Sequence, residues 1–270
     1  MQLSDIELGN VVPGAVRLAA DITGVNETFI GHLDLQGRQI KAYIKVLNGK
    51  QLVNELVATT LGRYIGLPIP KGYLLRARPE DLPDSNILKA FGQEALVFGS
   101  ASMEHPSLAR RFTLNTNDAW EWLKDNCKIL SEAIVFDELV ANTDRHQGNL
   151  LVGKKGAVWL IDHSHCFTGP NWVIPDLVGS NSYNNILATQ YVATMTLPKR
   201  MELIDKAKAT FGIIEKLKMD LTLTSARAHI VTPAGEIGAL KAFLDARTKN
   251  IIEMISTRVG MPGLNGVQKP

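Results

Sequence analysis

Residues 142–152 read Asn142-Thr143-Asp144-Arg145-His146-Gln147-Gly148-Asn149-Leu150-Leu151-Val152. After a Gly153-Lys154-Lys155-Gly156 turn the chain continues Ala157-Val158-Trp159-Leu160-Ile161-Asp162-His163. Two carboxylates and one side-chain amide thus fall at the ends of adjacent short apolar runs, with Asp144 and Asn149 flanking a turn and Asp162 closing the second run. This donor set suits phosphoryl transfer. Asp144 is placed to orient an attacking hydroxyl and accept its proton, and Asn149 and Asp162 to hold magnesium, which prefers hard oxygen ligands completed by water. Asp144 and Asn149 alone would equally suit a turn, where such side chains bond their own backbone. Asp162 completes the ligand set.

Phosphoryl transfer also needs a strand cation for the nucleotide phosphates and a helix carboxylate to position that cation. Lys45 lies in the run Ala42-Tyr43-Ile44-Lys45-Val46-Leu47, and Glu55 lies early in the next helical segment. Taken singly, Lys45 reads as a solvated strand-edge lysine and Glu55 as a first-turn acid favoured by the helix dipole. The signal is their order: strand Lys, helix Glu, then Asp, Asn and Asp.

Period-two alternation predicts a hairpin over 28–35 and 39–47, closed by Gln36-Gly37-Arg38. In its second strand Ile40, Ala42 and Ile44 share one face, and Lys41, Tyr43 and Lys45 the other. An earlier strand is expected over 15–20, with a loop over 21–27. Leu52, Leu56, Val57, Leu61 and Ile65 carry helical spacing, stopped by Gly66 and Pro68. Further strands are expected over 73–76 and 94–98, so the first hundred residues form a small sheet with one helix. From Asn117 the pattern is helical. Asn117 or Asp118 is placed to cap a helix bearing Trp120 and Trp122, and a long helix follows over 128–141. Short strands over 150–152 and 157–161 come next, then a loop-rich stretch after Phe167. Helices resume from about Lys199, one of them opened by Pro233. Trp120, Trp122 and Trp159 are expected to be packing residues.

With 270 residues, 45% hydrophobic and 21% charged, the chain has room for a sizeable core, as one large domain or as two lobes sharing a cleft. Ordinary hydrophobicity and mixed charge exclude a disordered protein, and two cysteines, Cys127 and Cys166, exclude a disulfide-built miniprotein. The start lacks signal-peptide character and no run is long and apolar enough to span a membrane, so a cytoplasmic protein with reduced thiols is expected. A net charge of +2 gives no direct signal for nucleic acid.

The sequence resembles the HipA-like kinase family in its short, single-module form. The matching text is Asn54-Glu55-Leu56-Val57-Ala58, Leu61-Gly62-Arg63 and Gly66-Leu67-Pro68-Ile69-Pro70, then Ala141-Asn142-Thr143-Asp144-Arg145-His146 to Asn149, and Ile161-Asp162-His163. The Asp-Arg-His-x-x-Asn and Ile-Asp-His pieces are also similar to phosphoinositide 3- and 4-kinases. The resemblance implies an α+β, two-lobed protein-kinase-like fold, with a small β-rich nucleotide-binding lobe over 1–100 and a larger helical catalytic lobe over 101–270. It implies ATP and magnesium as cofactors, with Lys45 on the phosphates, Glu55 pairing with it, Asp144 as catalytic base, and Asn149 and Asp162 as magnesium ligands. The loop 23–28, with Gly24, Val25 and Asn26, would cover the phosphates, Phe98 and Gly99 would lie in the hinge that meets the adenine, and His146 would join the nucleotide-binding residues. The chain departs from ordinary protein kinases in lacking a Gly-x-Gly-x-x-Gly loop and in carrying Asp162-His163-Ser164 where they carry Asp-Phe-Gly. Long family members add an N-terminal subdomain, whose function is expected to come from a separate chain.

The expected activity is ATP-dependent phosphorylation of a hydroxyl, most naturally Ser or Thr of a protein, in the manner of a toxin kinase with a neutralising partner protein. A lipid or small-molecule kinase is the alternative; the absence of Lys and Arg from 163–183 favours a protein or neutral acceptor. Two other classes stay open. One is a zinc hydrolase using Asp162, His163, His165, Cys166 and His146. The other is a nucleotide-binding pseudokinase or regulatory protein, against which the complete set of Lys45, Glu55, Asp144, Asn149 and Asp162 argues.

Overall fold

The computed structural model describes residues 3–18, 26–113 and 115–263. Alternating apolar residues make strands β3 (Glu27–Leu35) and β4 (Arg38–Val46), whose inward faces bury Phe29, Leu33, Leu35, Ala42, Ile44 and Val46. Gln36 and Gly37 both take left-handed backbone, the geometry a two-residue hairpin needs, and Asp34 Oδ1 accepts the Gly37 N–H at 2.8 Å. Strands β1 (Glu7–Val11), β5 (Gly72–Ala77) and β6 (Ala95–Ala101) extend the sheet in the order β1-β5-β6-β4-β3. A second pairing, Asn10 with Asp34 and Val11 with Leu33, joins β1 back to β3 and closes a five-strand ring. Val11, Phe29, Leu33, Ile44, Leu75 and Val97 fill its interior.

Several elements differ from the sequence expectation. β1 carries only one buried side chain, Val11, so it had too little alternation to be seen. The strand expected over 15–20 is two residues, β2 (Val16–Arg17), laid on β3; positions 19–25 lie outside the described residues. A short helix, α2 (Asn86–Phe91), capped by Ser85, was not expected.

Helix α1 (Gly49–Tyr64) opens on a capping box: the Asn48 side chain accepts the Gln51 N–H and the Gln51 side chain accepts the Asn48 N–H. It is buried on all sides from Gln51 to Gly62, not along one stripe. The sheet covers one side and the helices that follow cover the other. These helices are α3 (Leu108–Arg111), α4 (Thr116–Asn126), α5 (Leu130–Leu139), α6 (Ile186–Tyr191), α7 (Leu197–Ile214), α8 (Met219–Ser225), α9 (Ala228–Val231) and α10 (Ala234–Arg258). Asn115, not Asn117 or Asp118, caps α4 by accepting the Asp118 N–H. Between α5 and α6 run the short strands β7 (Leu150–Val152) and β8 (Val158–Leu160), paired antiparallel.

A second core is continuous through α1. Leu52, Leu56 and Leu61 pack in the same cluster as Leu74 and Phe98 of the sheet and as Phe136, Leu240 and Phe243 of the helices. Ile6 adds to it, its N–H bonding Ser225 at 2.8 Å and its carbonyl accepting from Arg227 Nε at 3.3 Å. Fully buried Arg247 of α10 donates to the Glu138 and Leu139 carbonyls at the end of α5 and to that of Asn181. Burial pushes its guanidinium pKa down to about 10, which leaves it charged at neutral pH. Both cysteines are free, and burial pushes both thiols up. Among the described residues no helix is long and apolar enough to cross a membrane.

Candidate active site

A cleft of about 310 Å³ lies between the sheet and the helical part, lined by Tyr43, Lys45 and Phe98 on one side and Asp144, Asn149 and Asp162 on the other. Strand alternation turns Ala42 and Ile44 into the ring and Lys45 out of it, toward α1. Lys45 Nζ lies 2.7 Å from Glu55 Oε1 and 3.0 Å from Asp162 Oδ2. Burial alone would push this ammonium down; the charges of Asp162 and Glu55 outweigh it and hold its pKa above the ordinary value. Burial likewise works against ionised Glu55 and Asp162. Lys45 reverses it in both, helped by His163 at Glu55 and by Ser164 at Asp162, so both carboxyls sit below their usual range.

Asp162 has φ +55°, a left-handed backbone uncommon outside glycine, and this turns the chain sharply after β8. Its Oδ1 accepts the Ser164 hydroxyl at 2.7 Å, while the following N–H, of His163, donates to Glu55 Oε2 at 3.0 Å. The His163 ring turns inward, with Nδ1 3.4 Å from Glu55 Oε2 and the ring edge-on to Phe136. Burial holds this imidazole below its ordinary pKa.

The Asp144 turn hangs on a buried ion pair. Arg145 donates through Nε and Nη2 to the Asp137 carboxylate of α5, and through Nη1 to the carbonyls of Asn149 and Ile161. Asn142 bonds the same carboxylate at 2.9 Å and accepts the Asp144 N–H at 3.1 Å. One arginine therefore ties the two short strands to α5. The Asp144 carboxylate faces the cleft, its Oδ2 3.7 Å from both His146 Nε2 and His165 Nδ1. His146 Nδ1 accepts the Gly148 N–H, which leaves the ring proton on Nε2, toward Asp144.

Lys45, Glu55, Asp144, His146, Asn149, Asp162, Phe98 and Asn26 all line this one cleft. Gly24 and Val25 lie outside the described residues. The two expected hinge residues part company, Phe98 lining the cleft and Gly99 not. Gly99 sits mid-strand, paired with Ile44 and Tyr73, and a side chain there would meet Leu75 at 2.7 Å, not the cleft. The crossing from sheet to helices comes later in the chain, where His105, Pro106 and Ser107 line the cavity. These three and His165 had no periodic pattern to reveal them. The zinc arrangement does not form: the turn at Asp162 sends His163 into the core and His165 toward Asp144, and Cys166 is buried. Among the described residues no group of three or more His, Cys, Asp or Glu side chains gathers as a metal site.

The donor chemistry of Asn149 and Asp162 fits a single hard divalent cation completed by water and phosphate oxygens. The Asn149 amide nitrogen is committed to the Asp144 carbonyl at 2.7 Å, so its oxygen is the atom left for a ligand. Asp162 is ionised and lines the cleft.

A model of the HipA-like kinase family matches residues 35–177, more than half of the chain, and that stretch contains Lys45, Glu55, Asp144, Asn149 and Asp162. The chain belongs to the HipA-like kinase family. Among solved structures, the Helicobacter pylori proinflammatory kinase CtkA is similar in fold, with a TM-score of 0.59 at 14% identity over 92% of this chain and 96% of that one. That likeness carries the shared fold of this HipA-like kinase beyond residue 177, into the C-terminal helices. No curated protein sequence matches the chain.

Proposed function

We propose that this HipA-like kinase transfers the γ-phosphoryl group of ATP to the hydroxyl of a Ser or Thr residue of a protein, with magnesium bound. The observation that carries the reading is Lys45 held between Glu55 and Asp162, in one cleft with the accessible carboxylate of Asp144. The β-rich part and the helical part then act as two lobes around the nucleotide. Lys45 binds the phosphates, and Glu55 keeps its ammonium aimed into the cleft. Asn149 and Asp162 hold magnesium, which when bound neutralises phosphate charge. Asp144 accepts the proton of the acceptor hydroxyl as that oxygen bonds to the γ-phosphorus and the bond to the ADP oxygen breaks. Arg145, His146 and His165 keep the Asp144 turn and its carboxylate in place. A protein acceptor is supported by the lack of Lys and Arg over 163–183, where a lipid-facing surface would be basic. A role in growth control, with a neutralising partner protein, is the biological setting proposed from family membership.

The test is transfer from labelled ATP to proteins of a cell extract, comparing wild type with Asp144→Ala and Asp162→Ala. Loss of a positioned base predicts a fall of about 10²- to 10⁴-fold for Asp144→Ala. Variants that label as well as wild type would overturn the assignment.

A further inference from the structure

Asn54 stands beside Glu55 in α1, fully buried, with a polar side chain that the phosphoryl-transfer scheme leaves unused. The two N–H bonds of its Nδ2 are shared among three carbonyls of the segment that follows Asp162: Ser164 at 2.8 Å, Cys166 at 2.8 Å and Gly169 at 3.0 Å. Its Oδ1 accepts the indole N–H of Trp172 at 2.8 Å. One amide thus engages four residues of the segment, and the neighbouring Glu55 holds a fifth through the His163 N–H. The segment needs such support. Phe167, Thr168 and Gly169 take left-handed backbone in succession, at φ 54°, 81° and 146°. For non-glycine residues that conformation persists only when its surroundings over-determine it. Buried carbonyls also require partners.

We propose that Asn54 is a positioning residue that clamps segment 163–172 onto α1. The clamp makes the helix that carries Glu55 and the loop that starts at Asp162 a single rigid body. Asp162 is then fixed at Lys45 and His165 at Asp144 in the unmodified protein, without a separate ordering step for the loop. The inference rests on the phosphoryl-transfer reading of Lys45, Asp144 and Asp162.

Asn54→Asp tests it: the variant keeps the shape and the acceptor for Trp172, but turns a carboxylate oxygen toward three carbonyls. Trp172→Phe is the second variant, removing only the indole donor. Amide hydrogen exchange over 163–172 should rise by about tenfold or more in Asn54→Asp, with the β3–β4 amides unchanged. kcat should fall by roughly 30- to 100-fold while KM for ATP moves less than about threefold, the pattern of misplaced groups in a folded protein. Trp172→Phe should move both readouts the same way by less, and it carries the test if Asn54→Asp does not fold. Wild-type exchange over 163–172 in a folded variant would overturn the clamp, as would a loosened loop with wild-type kcat. Exchange is read without turnover, so a wild type that transfers no phosphate overturns the kinase reading alone.

Discussion

His163 shows how a residue can border the cleft and still be held below its ordinary pKa by burial. Its ring is buried between Glu55 and Phe136, and its pKa lies below the 6.5 of a free imidazole. Below pH 6.5 the unfolded chain binds a proton that the folded chain resists, so stability is complete above that pH and declines as pH falls toward the lower folded value. The slope contributed is at most about 1.4 kcal/mol per pH unit. Thermal melts between about pH 7 and pH 5 should fall more steeply for wild type than for His163→Gln, and equal slopes would refute the account. Asp162 and Glu55 contribute little to that window, because the stability held by their lowered pKa values is lost only from the ordinary carboxylate range downward, where the unfolded chain takes up protons. At this scale the sequence was informative near strand ends, as for Lys45, Asn149 and Asp162, and in the turn that holds Asp144; the structure brings all four to one cleft. Asn54 was visible only as part of a motif, since a buried amide and a surface amide are the same letter. His165 acquired its place from a left-handed backbone at Asp162 that no residue type announces.

Helix α1 is the element that most departs from its sequence pattern. Its apolar spacing predicts one buried stripe, yet Asn54, Glu55, Thr59 and Thr60 are buried as well, because sheet and helices cover it from opposite sides. The tightest point of that sandwich is Gly62. A Cβ there would approach Ile69 Cδ1 at 2.3 Å and Phe136 Cζ at 2.9 Å. Gly62→Ala should therefore destabilise by about 1–3 kcal/mol through overpacking. This should exceed the gain of up to about 1 kcal/mol from replacing a mid-helix glycine. Urea unfolding of the two proteins checks the sign, and a stabilised variant would show that α1 has slack against α5. The Gly66 stop made the C-terminal end of the helix legible, whereas the capping box of Asn48 and Gln51 at its start emerges only in the structure. Strand β1 was not, because its pairing with β5 is made by backbone and most of its side chains stay outside the core.

At the scale of the molecule, the core that contains α1 does not respect a boundary near residue 100. Leu52, Leu56 and Leu61 share one buried cluster with Phe136 and the C-terminal helices as well as with Leu74 and Phe98 of the sheet, and Ile6 is bonded to Ser225 and Arg227. A chain of residues 1–100 would leave that side of α1 in water, where apolar surface costs about 25 cal/mol per Å². It should lack dispersed amide resonances, while the full chain should unfold in one transition seen alike by fluorescence and circular dichroism; a folded 1–100 fragment would show that the sheet part is self-sufficient. Hydrophobic periodicity gave the division into sheet and helices, but which core claims α1 depends on contacts between residues more than a hundred apart. The ring made by β1 meeting β3 bears on how another protein can take hold of this one. Among the described residues each of its five strands has a neighbour on both sides, and the open edge beside them is the two-residue β2, a short backbone ladder for a foreign strand to extend. An inhibitor or assembly partner that grips the five closed strands must therefore read their side chains, and crowding of many copies meets little open strand edge there.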